Sequence, residues 1–419
     1  MPNLQDLDSL DIIGEDTYAA NGYPHEAWTL LRRVAPVYRY ERPGILPFWA
    51  ITRHDDIIHI SKQPELFLNA PRLAVFPEFE STADEEDLFA RHLLNMDPPE
   101  HGQYRRLVSQ RFTPRAVEEL RPSVERISAE ILDRLADRAR EGEADFVTEV
   151  SARLPLAVLA DLLGVPRADW ELMFRWTNEI IGATDPEYQQ GRSSEETGEQ
   201  ARLALFSYFW EMVEERRRQP RNDIVSILAN ARLGDDFVPQ FELLSFYFLL
   251  VVAGNETTRN AMTGGLLALI ENPDELRRLQ QKPELTDSAV EEIVRWTTPV
   301  IQFCRTASRD TELRGQQIHA GDNLTLFYAS ANRDESVFGD PFRFRIDRNP
   351  NPHLAFGIGE HFCLGANLAR LELRVVFRQL AERLEQAELA GSIARLRSSF
   401  VGGIKSMPIR YRLRGPTVA

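Results

Sequence analysis

The sequence predicts a mainly α-helical protein with small β-sheets. Apolar residues recur at helical spacing over most of the 419 residues, and 43% hydrophobic with 27% charged residues is an ordinary globular composition. Two stretches, 37–51 and 313–327, instead combine Pro or Gly with alternating apolar residues, as hairpins do. Without an internal repeat or a low-complexity linker, residues 1–419 are expected to form one domain, β-rich at about 35–75 and 300–350.

The helical pattern is clearest in segments that end at Pro, Gly or polar residues. Between them lie two long polar stretches, 76–86 and 184–198, which are predicted loops. Loops of this length serve either as lids over a site or as solvated surface segments, and the sequence favours neither. The predicted helices span 98–111, 114–141, 148–163, 200–219, 239–271, 288–296 and 364–384.

Charge and cysteine content narrow the class of protein. A formal net charge of −15 disfavours nucleic acid as a general partner. The acidic N-terminus has neither the basic nor the apolar region of a signal peptide, and the most apolar run, 243–253, is too short for a membrane anchor. The two cysteines, Cys304 and Cys363, do not suggest a disulfide framework, so we expect a cytoplasmic protein in which Cys304 serves packing.

The most informative segment is FGIGEHFCLG, residues 356–365, which places Cys363 between a glycine-rich loop and a predicted helix. Glycines let a backbone turn tightly and approach a flat ligand. The N–H groups and positive dipole of a helix N-terminus stabilise a thiolate. Cys363 is therefore a candidate metal ligand, and the other interpretation is a buried cysteine that acts as a small apolar side chain.

A second unusual segment is AGNETT, residues 253–258, which interrupts an otherwise apolar helix. Buried polar groups are costly unless they serve a site. Glycine costs about 1 kcal/mol in a helix, and a threonine hydroxyl can bond to the carbonyl four residues earlier and bend the helix. The segment predicts either a kinked groove over a ligand or a bend that packing stabilises.

Two pairs at helical spacing complete the set of motifs. Glu292 and Arg295 share a helix face and can form an ion pair, as can many surface residues. His101 and Arg105 share a face of the helix that follows Asp97. Such cationic and hydrogen-bonding side chains could bind carboxylates or could simply be solvated.

Together these motifs resemble those of the cytochrome P-450 family, in matching order over nearly the whole chain. Residues 356–365 match the haem-binding loop Phe-x-x-Gly-x-x-x-Cys-x-Gly, and residues 253–257 match the oxygen-activating helix, Ala/Gly-Gly-x-Asp/Glu-Thr. The resemblance implies a triangular, mainly helical fold and haem b (iron protoporphyrin IX), with Cys363 as the iron ligand. It also implies that Glu256 and Thr257 are the acid and alcohol that deliver protons during oxygen activation.

The resemblance assigns further residues by position. His101, Arg105, Arg305 and His361 would bind the haem propionates. Glu292, Arg295 and Arg348 would form a buried structural network, although Arg345 stands where many members have an acidic residue. The haem site would also include Ala253, Gly254, Phe356, Gly357 and Gly365, and the substrate pocket Val75, Phe76, Leu94, Val252, Val300, Ile301, Phe400 and Val401.

The implied activity is a monooxygenase that uses O2 and two electrons from a ferredoxin/reductase chain to hydroxylate or epoxidise a hydrophobic molecule. GNETTRN (254–260) and SANRDE (330–335) resemble segments of terpenoid-alcohol and sterol or branched-lipid hydroxylases, so a terpenoid, steroid or branched lipid is the expected substrate. The ferredoxin would dock on a basic face with Arg106, Arg111, Arg370 and Arg374, if these are not merely solvated. We expect a monomer.

Two other functions remain open from the sequence. A haem-thiolate peroxygenase would use hydrogen peroxide directly, but the family's fatty-acid peroxygenases usually lack the Glu256-Thr257 pair. A non-haem protein could bind a ligand or use Cys363 as a nucleophile. The nucleophile would need a general base, and His361 is the only histidine close to it in sequence.

Overall fold

The computed structural model describes residues 7–75, 92–138, 140–183 and 186–415, and these are mainly helical. Within them, no helix is both long enough and apolar enough to cross a membrane. The helices are α1 (Glu15–Asn21), α2 (His25–Val34), α3 (His54–Ser61), α4 (Glu100–Ser109), α5 (Pro114–Glu118), α6 (Arg121–Arg138), α7 (Arg153–Leu163), α8 (Trp170–Ile181), α9 (Pro186–Gln189), α10 (Ser194–Arg218), α11 (Ile224–Ala229), α12 (Gln240–Glu271), α13 (Pro273–Gln281), α14 (Thr286–Thr297), α15 (Tyr328–Ala331) and α16 (Ala366–Arg383).

The strands form small sheets around this helical body. The largest has the order β1-β2-β10-β7-β3, in which β1 and β2 are the hairpin predicted for 37–51. A second sheet has the order β11-β14-β4. The strands are β1 (Val37–Arg42), β2 (Ile45–Ile51), β3 (Phe67–Leu68), β4 (Glu141–Asp145), β5 (Arg232–Leu233), β6 (Asp236–Phe237), β7 (Gln302–Ala307), β8 (Thr311–Leu313), β9 (Gln316–Ile318), β10 (Asn323–Phe327), β11 (Leu384–Leu389), β12 (Ala394–Arg395), β13 (Ile404–Ser406) and β14 (Pro408–Leu413).

Helix α12 is the central element of the helical body. It packs against α7, α8, α10, α14 and α16, and it is buried over most of its length. The helix continues without a break through AGNETT. The Thr257 hydroxyl donates to the Ala253 carbonyl at 2.8 Å, the local bond that lets a polar threonine sit in an apolar helix.

Three predictions about element boundaries were wrong. The loop predicted for 184–198 ends early, because Ser193 and Glu196 form a reciprocal capping box that starts α10. The helix predicted for 114–141 is divided into α5 and α6, and its last residue begins β4. Residues 313–327 do not form a single hairpin, since β9 pairs with β8 whereas β10 pairs with β2 and β7. Loop 76–86 lies outside the described residues.

The sheet of β11, β14 and β4 was not predicted, although part of its signal is visible in the sequence. Along β14 the residues Ile409, Tyr411 and Leu413 are buried, and the two arginines between them are exposed. This alternation of apolar and polar residues is the strand period of two. The partners of β14 come from distant parts of the chain, which local periodicity cannot identify.

A buried ion cluster attaches α14 to the segment that precedes Cys363. Glu292 and Arg295 are both 0% exposed, and Arg295 Nε lies 2.7 Å from Glu292 Oε2. Arg348 Nε donates to the same oxygen at 3.0 Å. The remaining Glu292 oxygen, Oε1, accepts from the backbone N–H of Arg345 at 3.0 Å. Position 345 therefore contributes its backbone N–H to the cluster.

We predict that Glu292→Gln destabilises the protein by about 3–5 kcal/mol, because it leaves two buried guanidinium groups without their counter-charge. The thermal unfolding midpoint, followed by circular dichroism, measures the effect. Asp274→Asn is the matched control, since Asp274 and Arg277 have the same i,i+3 spacing on an exposed surface. It should change the midpoint much less. Equal shifts in the two variants would contradict a structural role for the cluster.

Candidate active site

A cavity lies between α12 and the Cys363 loop with α16. Its wall is mostly apolar. Helix α12 contributes one stripe of wall residues, and the start of α16 contributes another. The wall includes Leu73, Leu93, Phe246, Leu249, Leu250, Ala261, Phe303, Leu364 and Leu368.

Cys363 lies on this wall, in a loop that the backbone holds tightly. The Cys363 N–H donates to the Phe356 carbonyl at 2.8 Å. Gly359 has a positive φ of 80°, and a Cβ there would lie 2.5 Å from the Ser61 carbonyl oxygen, so only glycine fits. Helix α16 begins at Ala366, after the cysteine. The loop can therefore present the sulfur to the cavity with little freedom to move.

The pKa of the Cys363 thiol differs from the sequence-based expectation that the helix N-terminus stabilises a thiolate. Burial raises the pKa of the thiol, and the Gly365 N–H together with Arg105 and Arg370 opposes this only in part. The helix end does not by itself produce a thiolate, because the cost of burying a charge is larger. A cation bound at the sulfur would supply the missing stabilisation.

Four basic side chains meet at one part of the cavity. The rings of His101 and His361 stack with their centroids 3.9 Å apart. Arg105 donates to the Phe362 carbonyl at 2.6 Å, and Arg305 donates to the Cys304 carbonyl at 2.7 Å. All four residues line the cavity. Residues from three separate parts of the chain thus converge here, as the resemblance implied.

Each of the two histidines in this group has one ring nitrogen, Nε2, without a hydrogen-bond partner among the described residues. Both Nε2 atoms are buried. Burial and the neighbouring Arg105 lower the pKa of His101 to about 4, and burial with nearby cationic groups lowers that of His361 to about 2. Buried polar atoms without partners indicate a missing ligand. Two carboxylates, such as the haem propionates, would satisfy these donors, so the residues present fit that group.

Thr257 and Glu256 lie on different sides of α12. Thr257 is part of the cavity wall, together with Ala253 and Gly254. Glu256 is only 1% exposed and is not among the described wall residues. Burial raises the pKa of Glu256, and Arg259 opposes that rise. The acid and the alcohol are adjacent in sequence but do not share one compartment.

The structure places some, but not all, of the predicted pocket residues on the wall. Leu94 and Val300 line the cavity, as do Phe356, Gly357 and Gly365 of the predicted haem site. Ile301 instead packs into the buried cluster around Trp28 and Phe327. Among the described residues, the wall also lacks Val75, Val252, Phe400 and Val401, and Phe76 lies outside those residues.

Two of the predicted pocket residues that are off the wall, Phe400 and Val401, contact wall residues. Phe400 contacts the wall residue Phe303, with ring centroids 5.5 Å apart. Val401 forms an isolated β-bridge with the wall residue Val300. These two residues support the wall from behind, so changes in them would act on the cavity indirectly.

Sequence reasoning missed several wall residues that a visible pattern would have found. Phe246, Leu250 and Ala261 were missed, although together with the predicted Ala253 and Thr257 they recur at intervals of four, three, four and four along α12, which is one helix face. Glu372 was also missed. It is 2% exposed and lines the cavity, and burial raises the pKa of its carboxyl well above the usual value.

Most of the predicted basic face is already paired within the molecule. Arg370 forms two hydrogen bonds with Glu291, at 2.7 and 2.8 Å, and lies over the ring of Phe356. Arg374 lies 2.7 Å from Asp287, and Arg111 donates to Asn222. Arg106 is exposed on α4. The net positive charge of this face is therefore smaller than four arginines would suggest.

Comparison with known proteins agrees with this geometry. The family model for cytochrome P450 matches residues 24–390. A methyl-branched lipid omega-hydroxylase of Mycobacterium tuberculosis is 38% identical over 414 residues, which are 97% of this chain and 94% of that protein. A steroid C26-monooxygenase of Mycolicibacterium smegmatis is 38% identical over 424 residues, 98% of this chain and 95% of that protein.

A solved structure is similar over the same length. The cytochrome P450 of Mycobacterium marinum in complex with pseudoionone has a TM-score of 0.89 to this chain and is 35% identical to it, covering 96% of this chain and 98% of that chain. Family members use haem as their cofactor and act on hydrophobic substrates with O2 and a redox partner. The chain belongs to the cytochrome P450 family and is a monooxygenase, as its sequence, its fold and the cavity with Cys363 on its wall together show.

Proposed function

We propose that this monooxygenase hydroxylates the end of a long, branched, apolar chain, as found in methyl-branched lipids, terpenoids and steroid side chains. The observation that carries the proposal is a largely apolar cavity with Cys363 and Thr257 on its wall. The names of the two relatives specify an omega position and a C26 position, both at the end of an alkyl chain. An apolar wall holds such a chain by shape rather than by hydrogen bonds.

In this proposal Cys363 holds the iron of haem b, and His101, Arg105, Arg305 and His361 hold its two propionates. When bound, the haem supplies the oxidising chemistry that transfers one oxygen atom from O2 to a C–H bond. The protein positions the substrate and keeps water away from the reacting carbon. Apolar wall residues such as Phe246, Leu250 and Val300 serve both purposes.

Thr257 and Glu256 move protons in the proposed mechanism. The Thr257 hydroxyl faces the cavity while it donates to the Ala253 carbonyl, and its oxygen can accept one proton and pass another on. Glu256 is a buried acid one residue away, with one carboxylate oxygen that has no partner among the described residues. A positioned acid and alcohol deliver protons without opening the cavity to bulk water.

Electrons would come from a ferredoxin that docks near Arg106, which is exposed on α4. The pairing of Arg370 with Glu291 and of Arg374 with Asp287 reduces their contribution to docking. We place the protein in the cytoplasm, where thiols such as the buried and unpaired Cys304 stay reduced. Turnover with a ferredoxin and its reductase, compared with hydrogen peroxide alone, separates a monooxygenase from a peroxygenase.

The absorption spectrum of the reduced, carbon-monoxide-bound protein tests the role of Cys363. We expect the red-shifted Soret band of a thiolate ligand in the wild-type protein and its loss in Cys363→His, because imidazole donates less electron density to iron. Cys304→Ala is the control, since that thiol is buried beside Thr325 and away from the cavity wall, and it should keep the band. A red-shifted band that survives in Cys363→His would exclude Cys363 as the iron ligand.

Thr257→Ala should uncouple electron consumption from product formation. We expect product formation to fall by up to roughly 100-fold, the low end of what a positioned proton-transfer group contributes, while reductant consumption changes little. Product and reductant are measured together in one assay. Thr263→Ala is the control, because its hydroxyl makes the same back-bond, to the Arg259 carbonyl, away from the cavity. Unchanged coupling in Thr257→Ala would remove Thr257 from the proton path.

Binding difference spectra test the proposed substrate class. We expect methyl-branched fatty acids, terpenoids or steroids that carry an alkyl side chain to bind more tightly than straight-chain fatty acids of equal length. Val300→Phe should weaken this binding, because the larger side chain fills space at the wall. Ile301→Val, one residue away but off the wall, should leave affinity unchanged. Preferred binding of short polar molecules would contradict the proposal.

A further inference from the structure

Glu256 lies in a buried polar group of its own on the side of α12 away from the cavity. Its Oε1 atom accepts from Arg259, one turn along the helix, and from the Asn260 side chain at 3.3 Å. Its Oε2 atom is buried and has no partner among the described residues. Both donors use the same oxygen, so a proton that arrives at this carboxylate can be held at Oε2 while the bonds to Oε1 stay in place.

Arg259 links this acid to a different helix. Its Nη1 atom donates to Asn178 Oδ1 at 3.0 Å, and Asn178 belongs to α8. The guanidinium is planar, so one hydrogen bond to Asn178 and one to Glu256 together fix its orientation. The side chains of Glu256 and Arg259 are 1% and 3% exposed. The position of the acid therefore depends on α8 as well as on α12.

The surroundings of Glu256 decide whether its carboxyl is charged. Burial raises the pKa of Glu256, and Arg259 is the main group that lowers it, followed by Asn260. Two more titratable groups act on the same region, Tyr188 on α9 and Lys405 on β13, which pairs with Glu187 at 3.0 Å. Removing the positive charge of Arg259 would leave the effect of burial largely unopposed. Arg259 therefore favours the ionised form of the acid.

We propose that Arg259 and Asn178 are positioning residues for Glu256. Arg259 holds the Oε1 atom, Asn178 anchors Arg259 to α8, and Oε2 is left as the atom that exchanges protons with the Thr257 side of α12. This inference rests on the proposed role of Glu256 and Thr257 in proton delivery. It adds the residues that place the acid and the helix, α8, on which that placement depends. Neither side chain lines the cavity in the described chain, so both act through Glu256 rather than on the substrate.

Infrared titration of the ferric protein tests the inference without turnover. The difference between wild-type and Glu256→Gln spectra isolates the C=O band of the protonated Glu256, and its pH dependence gives a midpoint. We expect Arg259→Gln to move this midpoint to higher pH, because the charge that opposed burial is gone. Asn178→Ala should move it the same way but less, since Arg259 keeps its charge and loses only its anchor. In coupling assays both variants should form less product per electron pair.

Conservative and control variants separate charge from positioning. Arg259→Lys keeps the positive charge, so its midpoint should be closer to the wild-type value than that of Arg259→Gln. Its coupling should stay low, because a single ammonium cannot hold both Glu256 and Asn178 as the guanidinium does. Arg192→Gln is the matched control, because Arg192 pairs with Glu179, the neighbour of Asn178 on α8. It should change neither the midpoint nor the coupling. The reduced carbon-monoxide spectrum checks that each variant is folded.

Two different results would separate this inference from the proposed function. An unchanged midpoint in both Arg259→Gln and Asn178→Ala would overturn the positioning role, even if Thr257→Ala uncouples turnover. If Thr257→Ala and Glu256→Gln leave coupling unchanged, the proton path fails, but the infrared midpoints still report whether Arg259 sets the ionisation of Glu256. If Arg259→Gln does not fold, Asn178→Ala and Arg259→Lys are compared with the wild-type protein instead. An unchanged midpoint and unchanged coupling in Asn178→Ala would then overturn the inference.

Discussion

The ion cluster around Glu292 fixes the approach of the chain to Cys363. Arg295 donates to the carbonyls of Asn332 and Pro341, and Asn332 Oδ1 in turn accepts from the Leu354 N–H at 2.7 Å. Leu354 lies only two residues before Phe356, where the cysteine loop begins. Because these charged groups are buried, they are stabilised by one another rather than by water. The loop that presents the sulfur is thus anchored to α14, which packs on both α12 and α16.

Buried polar atoms with and without partners distinguish the ion cluster from the surroundings of the cavity. Around Glu292 both carboxylate oxygens have donors. At the cavity, in contrast, His101 Nε2 and His361 Nε2 lack partners, and beyond the cavity wall so does Glu256 Oε2. Each missing partner costs free energy in the protein alone. In the proposed function, the haem carboxylates would bind the two histidine atoms and a transferred proton would bind Glu256 Oε2.

The sequence predicted the helical body and the order of its motifs well, because period and short motifs are local properties. It missed the sheet of β4, β11 and β14, whose strands are distant in sequence, and it extended a loop over the capped start of α10. The pocket was predicted by position in the chain, and Ile301 shows the limit of that method. Its neighbour Val300 lines the cavity, whereas Ile301 points into the aromatic cluster, as alternate residues of extended chain do. At Cys363, burial raises the pKa of the thiol by more than the N–H at the start of α16 lowers it.

Adjacent residues on a helix point about 100° apart, since one turn takes 3.6 residues. Of this adjacent pair, Thr257 is among the described wall residues of the cavity and Glu256 is not. The acid instead accepts from Arg259, which also donates to Asn178 on α8. This arrangement keeps an ionisable carboxylate out of an apolar binding site, where it would repel a hydrophobic substrate and attract water. In the proposed function, α12 separates substrate binding from proton supply, and the Thr257 hydroxyl is the point at which the two meet.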